Sequence, residues 1–127
     1  CGMLPATMLG PMALAQRARD GEMAAAMVAS GERGSLLVAG SGHVRRDRGV
    51  PWVLAALHSV GARDARAIAN VEVERGVHDP RSYARGFGAE VLPFDYVVFT
   101  AKANDDDPCA AMRSPAPAPS ASVRRAR

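Results

Sequence analysis

The run Ser35-Leu36-Leu37-Val38-Ala39, followed at once by Gly40-Ser41-Gly42-His43, constrains the fold of this chain more than any other stretch. Its apolar residues are continuous rather than alternating, the pattern of a strand covered on both faces, as in a parallel sheet. A parallel strand needs a crossover to its neighbour, usually a helix, and helical patterns flank the run on both sides. One helix is expected from about Pro11 to Ser30, opened by Gly10-Pro11 and closed by Gly31. A second is expected from about Pro51 to Val60, stopped by Gly61, with Val53, Ala56, Leu57 and Val60 at helical spacing. Strands are expected at 67–73 and at 96–100 (YVVFT). Between them, residues 75–89 are rich in glycine and charge and suit a long loop with one helical turn. The order α-β-α-β-loop-β predicts an α/β layered sandwich, a mainly parallel sheet flanked by helices.

In an open α/β sheet, ligands bind outside the carboxyl ends of the strands, and His43 lies just past such an end. A histidine there can ligate a metal or haem iron through a neutral ring nitrogen, or act as an acid or base near neutrality. Gly40 and Gly42 would let the backbone turn and let a bulky partner approach without obstruction by Cβ. Arg45, Arg46 and Arg48 could clamp carboxylates or phosphates. Taken singly, a histidine after a strand is more often a hydrogen-bonded turn residue, and an RRDR run more often a solvated loop. The segment is no dinucleotide fingerprint, since GxGxxG is incomplete, and no Walker loop, Ser-His-Asp set or HExxH helix stands anywhere. His58 and His78 have no partners at ligand spacing. On the first helix, steps of about 100° put Met8, Met12, Ala15, Met23 and Ala26 on one side, Met27 at its edge and Arg19 in the middle. A guanidinium there needs a partner, a ligand or water, or snorkels to solvent, with Glu22 one turn on as a candidate partner.

The charge balance argues against a nucleic-acid partner. The net charge is +3, but Arg113, Arg124, Arg125 and Arg127 lie in 113–127 with no acid, so the body holds 12 basic against 13 acidic residues. That stretch, ending SPAPAPSASVRRAR, alternates Pro, Ala and Ser and is expected to be a disordered tail, leaving residues 1–112 as the folding unit. No run reaches the roughly 18 apolar residues of a membrane-spanning helix. Cys1 reads either as the lipid-bearing first residue of a processed lipoprotein or as a position inside a longer chain. Cys1 and Cys109 leave room for one disulfide.

Three segments in order, AQRARDGEMAAAM (15–27), LLVAGSGHVRRDRGVP (36–51) and FDYVVFT with a following DPC (94–100, 107–109), resemble the C-terminal half of ChaN-like proteins. These are bacterial haem-binding lipoproteins of iron uptake, within the Tiki/TraB/EreA-like superfamily. The resemblance spans most of 1–112 and implies a partial domain. The superfamily carries two Gly-x-x-His motifs with an acidic residue and an arginine around one cleft. Gly40-x-x-His43 is similar to the second motif and Arg19 to the helical arginine, while no counterpart of the first motif is present. The resemblance therefore implies haem as cofactor, with Gly40, Gly42, His43, Arg19, Arg45 and Arg46 as its site, His43 at the metal and the arginines offsetting propionate charge. It implies a binding protein rather than an enzyme, a cleft shared in a homodimer, a periplasmic location and membrane association through an upstream anchor. Relatives in the superfamily include metal-dependent peptidases and esterases, so a hydrolase is the alternative. No motif fixes a tyrosine ligand at Tyr83 or Tyr96.

Overall fold

The computed structural model describes residues 4–107 and 109–110. Helix α1 runs Ala6–Ala29 and helix α2 Val50–His58; strand β1 is Ile68–Glu72 and strand β2 is Tyr96–Thr100. The strands pair in parallel, Ile68 opposite Tyr96 through Glu72 opposite Thr100, to give a two-stranded sheet among the described residues. The architecture is α/β, helices beside a small parallel sheet, as expected for a partial domain. The expected tail at 113–127 and the N-terminal Cys1 lie outside the described residues. No helix among those described is long and apolar enough to cross a membrane.

Helix α1 starts earlier than the Gly10-Pro11 signal implied, and Pro11 lies inside it. The expected stop holds: Gly31 takes φ 62° just past the cap Ser30, the left-handed residue that ends many helices. The buried face is turned from the expected stripe by roughly one residue, about 100°. Asp20 and Ala24 are buried, with Gln16, Met23 and Met27 partly so, while Met8, Met12, Ala15, Arg19 and Ala26 are exposed. Arg19 is thus not the centre of a covered face. Packing of a single seam decides this: Ala24 lets α2 approach closely, and Val50, Val53 and Leu54 meet it there with Leu37 and Val60 packed around them.

Helix α2 ends at Ser59, which itself adopts φ 57°, before Gly61 is reached. Its inward residues are Val50, Val53 and Leu54, and the expected Leu57 points to solvent at 71% exposure. Residues 35–39 differ most from expectation. They belong to no helix and to no ladder among the described residues; Leu37 packs on the core, while Leu36 and Val38 are 89% and 88% exposed. A strand covered on both faces needs layers on both, and here only Leu37 meets a packed surface while its neighbours Leu36 and Val38 stay exposed. The loop 75–89 holds a 3-10 stretch, Pro80–Phe87, capped by the Asp79 carboxylate on Arg81 N. From it Tyr83 packs on Phe99 and Phe87 on Phe94, each pair with centroids 5.2 Å apart.

Candidate functional site

His43 is held at two points. Its backbone carbonyl accepts from Val50 N at 2.7 Å, in the first turn of α2, where helical N–H groups lack internal partners. Its ring Nδ1 lies 2.7 Å from Asp20 Oδ1 on α1. Asp20 is 4% exposed and the His43 side chain 24%. A carboxylate on Nδ1 fixes the tautomer as Nδ1–H and leaves Nε2 with a lone pair. Nε2 has no hydrogen-bond partner among the described residues, so this nitrogen can ligate a metal or take a proton.

Asp20 is a candidate site residue that the apolar stripe of α1 does not show, because the stripe centres on Arg19 and lies about one residue away from the face that is buried. A signal was available. Gln16, Asp20, Met23, Ala24 and Met27 share one face at i, i+4 spacing, and an acid in that row demands a partner as much as an arginine does.

Gly49 makes the loop geometry work. A Cβ on it would fall well inside contact distance of the His43 carbonyl oxygen and 2.8 Å from the Arg45 oxygen. The chain can therefore fold back, with Gly49 N on Arg45 O at 2.9 Å, only with glycine there. Gly40 and Gly42 do not have this role: neither has a positive φ, and a Cβ on either would meet nothing within 4 Å.

The arginines separate into two kinds. Arg45, 3% exposed, donates from Nε and Nη2 to Asp47 at 2.9 and 2.6 Å and from Nη1 to Phe87 O at 2.6 Å, with the Phe87 ring 5.9 Å from its guanidinium carbon. The bidentate bond to Asp47 raises the Arg45 pKa above its usual value despite burial, and the same bond holds the Asp47 carboxyl below the usual carboxylate range. Arg45 is thereby committed to tying the loop to the Pro80–Phe87 stretch. Arg46 pairs with Asp95, whose other oxygen accepts from Ala67 N at 2.8 Å, which ties the loop to the start of both strands. Arg46 keeps a third of its side chain exposed. Arg19 and Arg48 are exposed. No group of three or more His, Cys, Asp or Glu side chains that could hold a metal ion occurs among the described residues.

The sequence candidates thus fall into a pair-forming histidine, open glycines, one buried clamp (Arg45), one half-exposed ion pair (Arg46) and one exposed guanidinium (Arg19). No curated protein and no solved structure matches the chain. Residues 1–54, which carry both members of the Asp20–His43 pair, match the family described as haem-binding uptake, Tiki superfamily, ChaN, in agreement with a partial domain of that family.

Proposed function

We propose that this chain is part of a haem-binding protein of bacterial iron uptake, with His43 at the iron and Asp20 orienting it. The observation that carries this is the 2.7 Å bond between Asp20 and His43 Nδ1, inside the segment that matches a haem-uptake family. The donor set fits the group. A neutral imidazole with a carboxylate behind it is the usual way a protein presents a histidine to iron, and a Cβ on Gly40 or Gly42, beside it in the chain, would meet nothing within 4 Å. When bound, haem supplies the iron, and with it the redox and spectroscopic behaviour, while the protein supplies the ligand nitrogen and the charges around it.

Arg19 and Arg46 would offset propionate charge, the first through an exposed guanidinium, the second by sharing itself between Asp95 and the ligand. Arg45 would act on the same site indirectly, by holding the loop that carries His43. A periplasmic location and an upstream lipid anchor accompany this proposal as its cellular setting. Titrating haem into the 127-residue chain should shift the Soret band, and His43→Ala should weaken binding by about 10- to 100-fold. An unchanged spectrum and affinity in His43→Ala would remove His43 from the iron. Turnover of a peptide or ester with a tightly held divalent metal and no haem affinity would favour the hydrolase alternative instead.

A further inference from the structure

We propose that Arg46 and Arg66 form one carboxylate-binding site, built on Asp95, which makes Arg66 a further binding residue. The anion site stands on its own geometry. That its carboxylate is a haem propionate rests on the function proposed above.

Two guanidiniums share one carboxylate oxygen. Arg46 reaches Asp95 Oδ1 through Nη1, and Arg66 Nη1 stands 3.7 Å from the same atom. The second oxygen of Asp95 is taken by Ala67 N at 2.8 Å. Among the described residues no other acidic side chain pairs with either arginine. One carboxylate against two cations leaves the cluster with a formal charge of +1. Like charges held on one acceptor repel, and a further anion relieves that repulsion. A single negative charge completes the balance.

The unused donors specify the shape of that anion. Arg45 shows the fork of a guanidinium in use: its Nε and Nη2 close on the two oxygens of Asp47 at 2.9 and 2.6 Å. Bidentate pairing of this kind is stronger and more directional than a single ionic contact. Arg46 and Arg66 meet Asp95 through Nη1 instead, and Arg66 Nη1 also donates to Ala62 O. The Nε and Nη2 forks of both have no hydrogen-bond partner among the described residues. A planar carboxylate matches such a fork, and a metal cation is repelled by it.

The cluster is fixed from behind and reachable from in front. Arg46 N donates to Pro93 O and Asp95 N to Ala67 O, each at 2.9 Å, and Arg66 directly precedes Ala67. Backbones held in this way confine the ordering cost of binding to two side chains. Those side chains are 34% and 45% exposed, against 14% for Asp95. Arg46 follows His43 by three residues, at most about 11 Å of extended chain. One ligand with a carboxylate arm can therefore engage the imidazole and the arginines together.

Absorbance titration of the full 127-residue chain with haem and with haem dimethyl ester separates the carboxylate from the rest of the ligand. Arg66→Gln should weaken haem binding about tenfold or more, as loss of a charge-assisted hydrogen bond does, and leave ester binding within about threefold. Arg66→Lys keeps the charge without the fork and should recover only part of the loss. Unchanged haem affinity in Arg66→Gln overturns the proposal. So does an equal loss for haem and ester, which would trace the effect to the fold and not to a carboxylate contact. A second measurement needs no haem. Acetate added at constant ionic strength should shift the Nε–H NMR signals of Arg46 and Arg66 along one saturating curve, which the exposed Arg19 does not follow. Absent shifts, or shifts that match those of Arg19, overturn the anion site. Binding of neither haem nor ester, with the saturating acetate shift intact, would overturn the haem reading and leave the arginine pair as a site for another carboxylate.

Discussion

Removal of the Asp20 carboxylate should reveal how much of the His43 site rests on one bond. Asp20 is 4% exposed and its Oδ1 is 2.7 Å from the ring nitrogen. A hydrogen bond to a charged group contributes about 1.5–3 kcal/mol net, and a buried donor left alone costs about 1–3 kcal/mol. His43 is 24% exposed, so water can reach the ring and replace part of what is lost. Asp20→Ala should therefore destabilise the fold by about 2 kcal/mol, in the lower half of the first range and the middle of the second. With a urea dependence of about 1–3 kcal/mol/M for a small protein, the unfolding midpoint drops by roughly 1 M. Asp20→Asn keeps the shape and an acceptor oxygen and loses only the charge, so its midpoint should fall by less than half as much. Haem affinity should fall about 10- to 100-fold in Asp20→Ala, as for other residues behind a ligating histidine. A double-mutant cycle with His43→Ala isolates the coupling, expected at about 1–2 kcal/mol for two groups in contact. Strict additivity of the two substitutions, or a wild-type midpoint and haem affinity in Asp20→Ala, would refute the reasoning.

Gly49→Ala forces a Cβ against the His43 and Arg45 backbone oxygens, neither of which can yield as a side-chain tip could. It should destabilise by about 3 kcal/mol, measured by urea unfolding, and weaken haem binding as His43 is displaced. Asp47, hydrogen-bonded by Arg45, is held below its ordinary value of 3.8. The unfolded chain consequently binds the proton first, and Asp47 contributes stability that is full above the ordinary carboxylate range and lost as pH falls through its lowered value. Thermal unfolding followed from pH 7 into acid should show that loss, and Asp47→Asn should flatten it.

Much of the fold was legible because it rests on local chemistry. The YVVFT strand, the left-handed Gly31 after α1 and the proline in the first turn of α2 all follow from backbone preference or simple periodicity. Helix faces were less legible. In α1 apolar and small residues lie on nearly every side, so periodicity alone could not choose between the Met8–Arg19–Met23 row and the Gln16–Asp20–Ala24 row. A Cβ-sized seam at Ala24 against α2 made that choice. The arginine run was equally undetermined. Nothing local distinguishes Arg45 from Arg46 or Arg48, and the partners that separate them, Phe87 and Asp95, lie 42 and 49 residues away.

The Gly40-Ser41-Gly42-His43 turn illustrates the division. By itself the sequence determined that a histidine follows a continuous apolar run and precedes a helix, since strand, turn and helix signals act over a few residues. That Asp20 holds the ring, that Gly49 rather than Gly40 or Gly42 is sterically required, and that residues 35–39 stand unpaired beside β1 were decided only by tertiary structure. Each depends on which distant surfaces meet, and hydrogen bonds, steric exclusion and ladder pairing take effect only at contact, across sequence separations that no local pattern encodes.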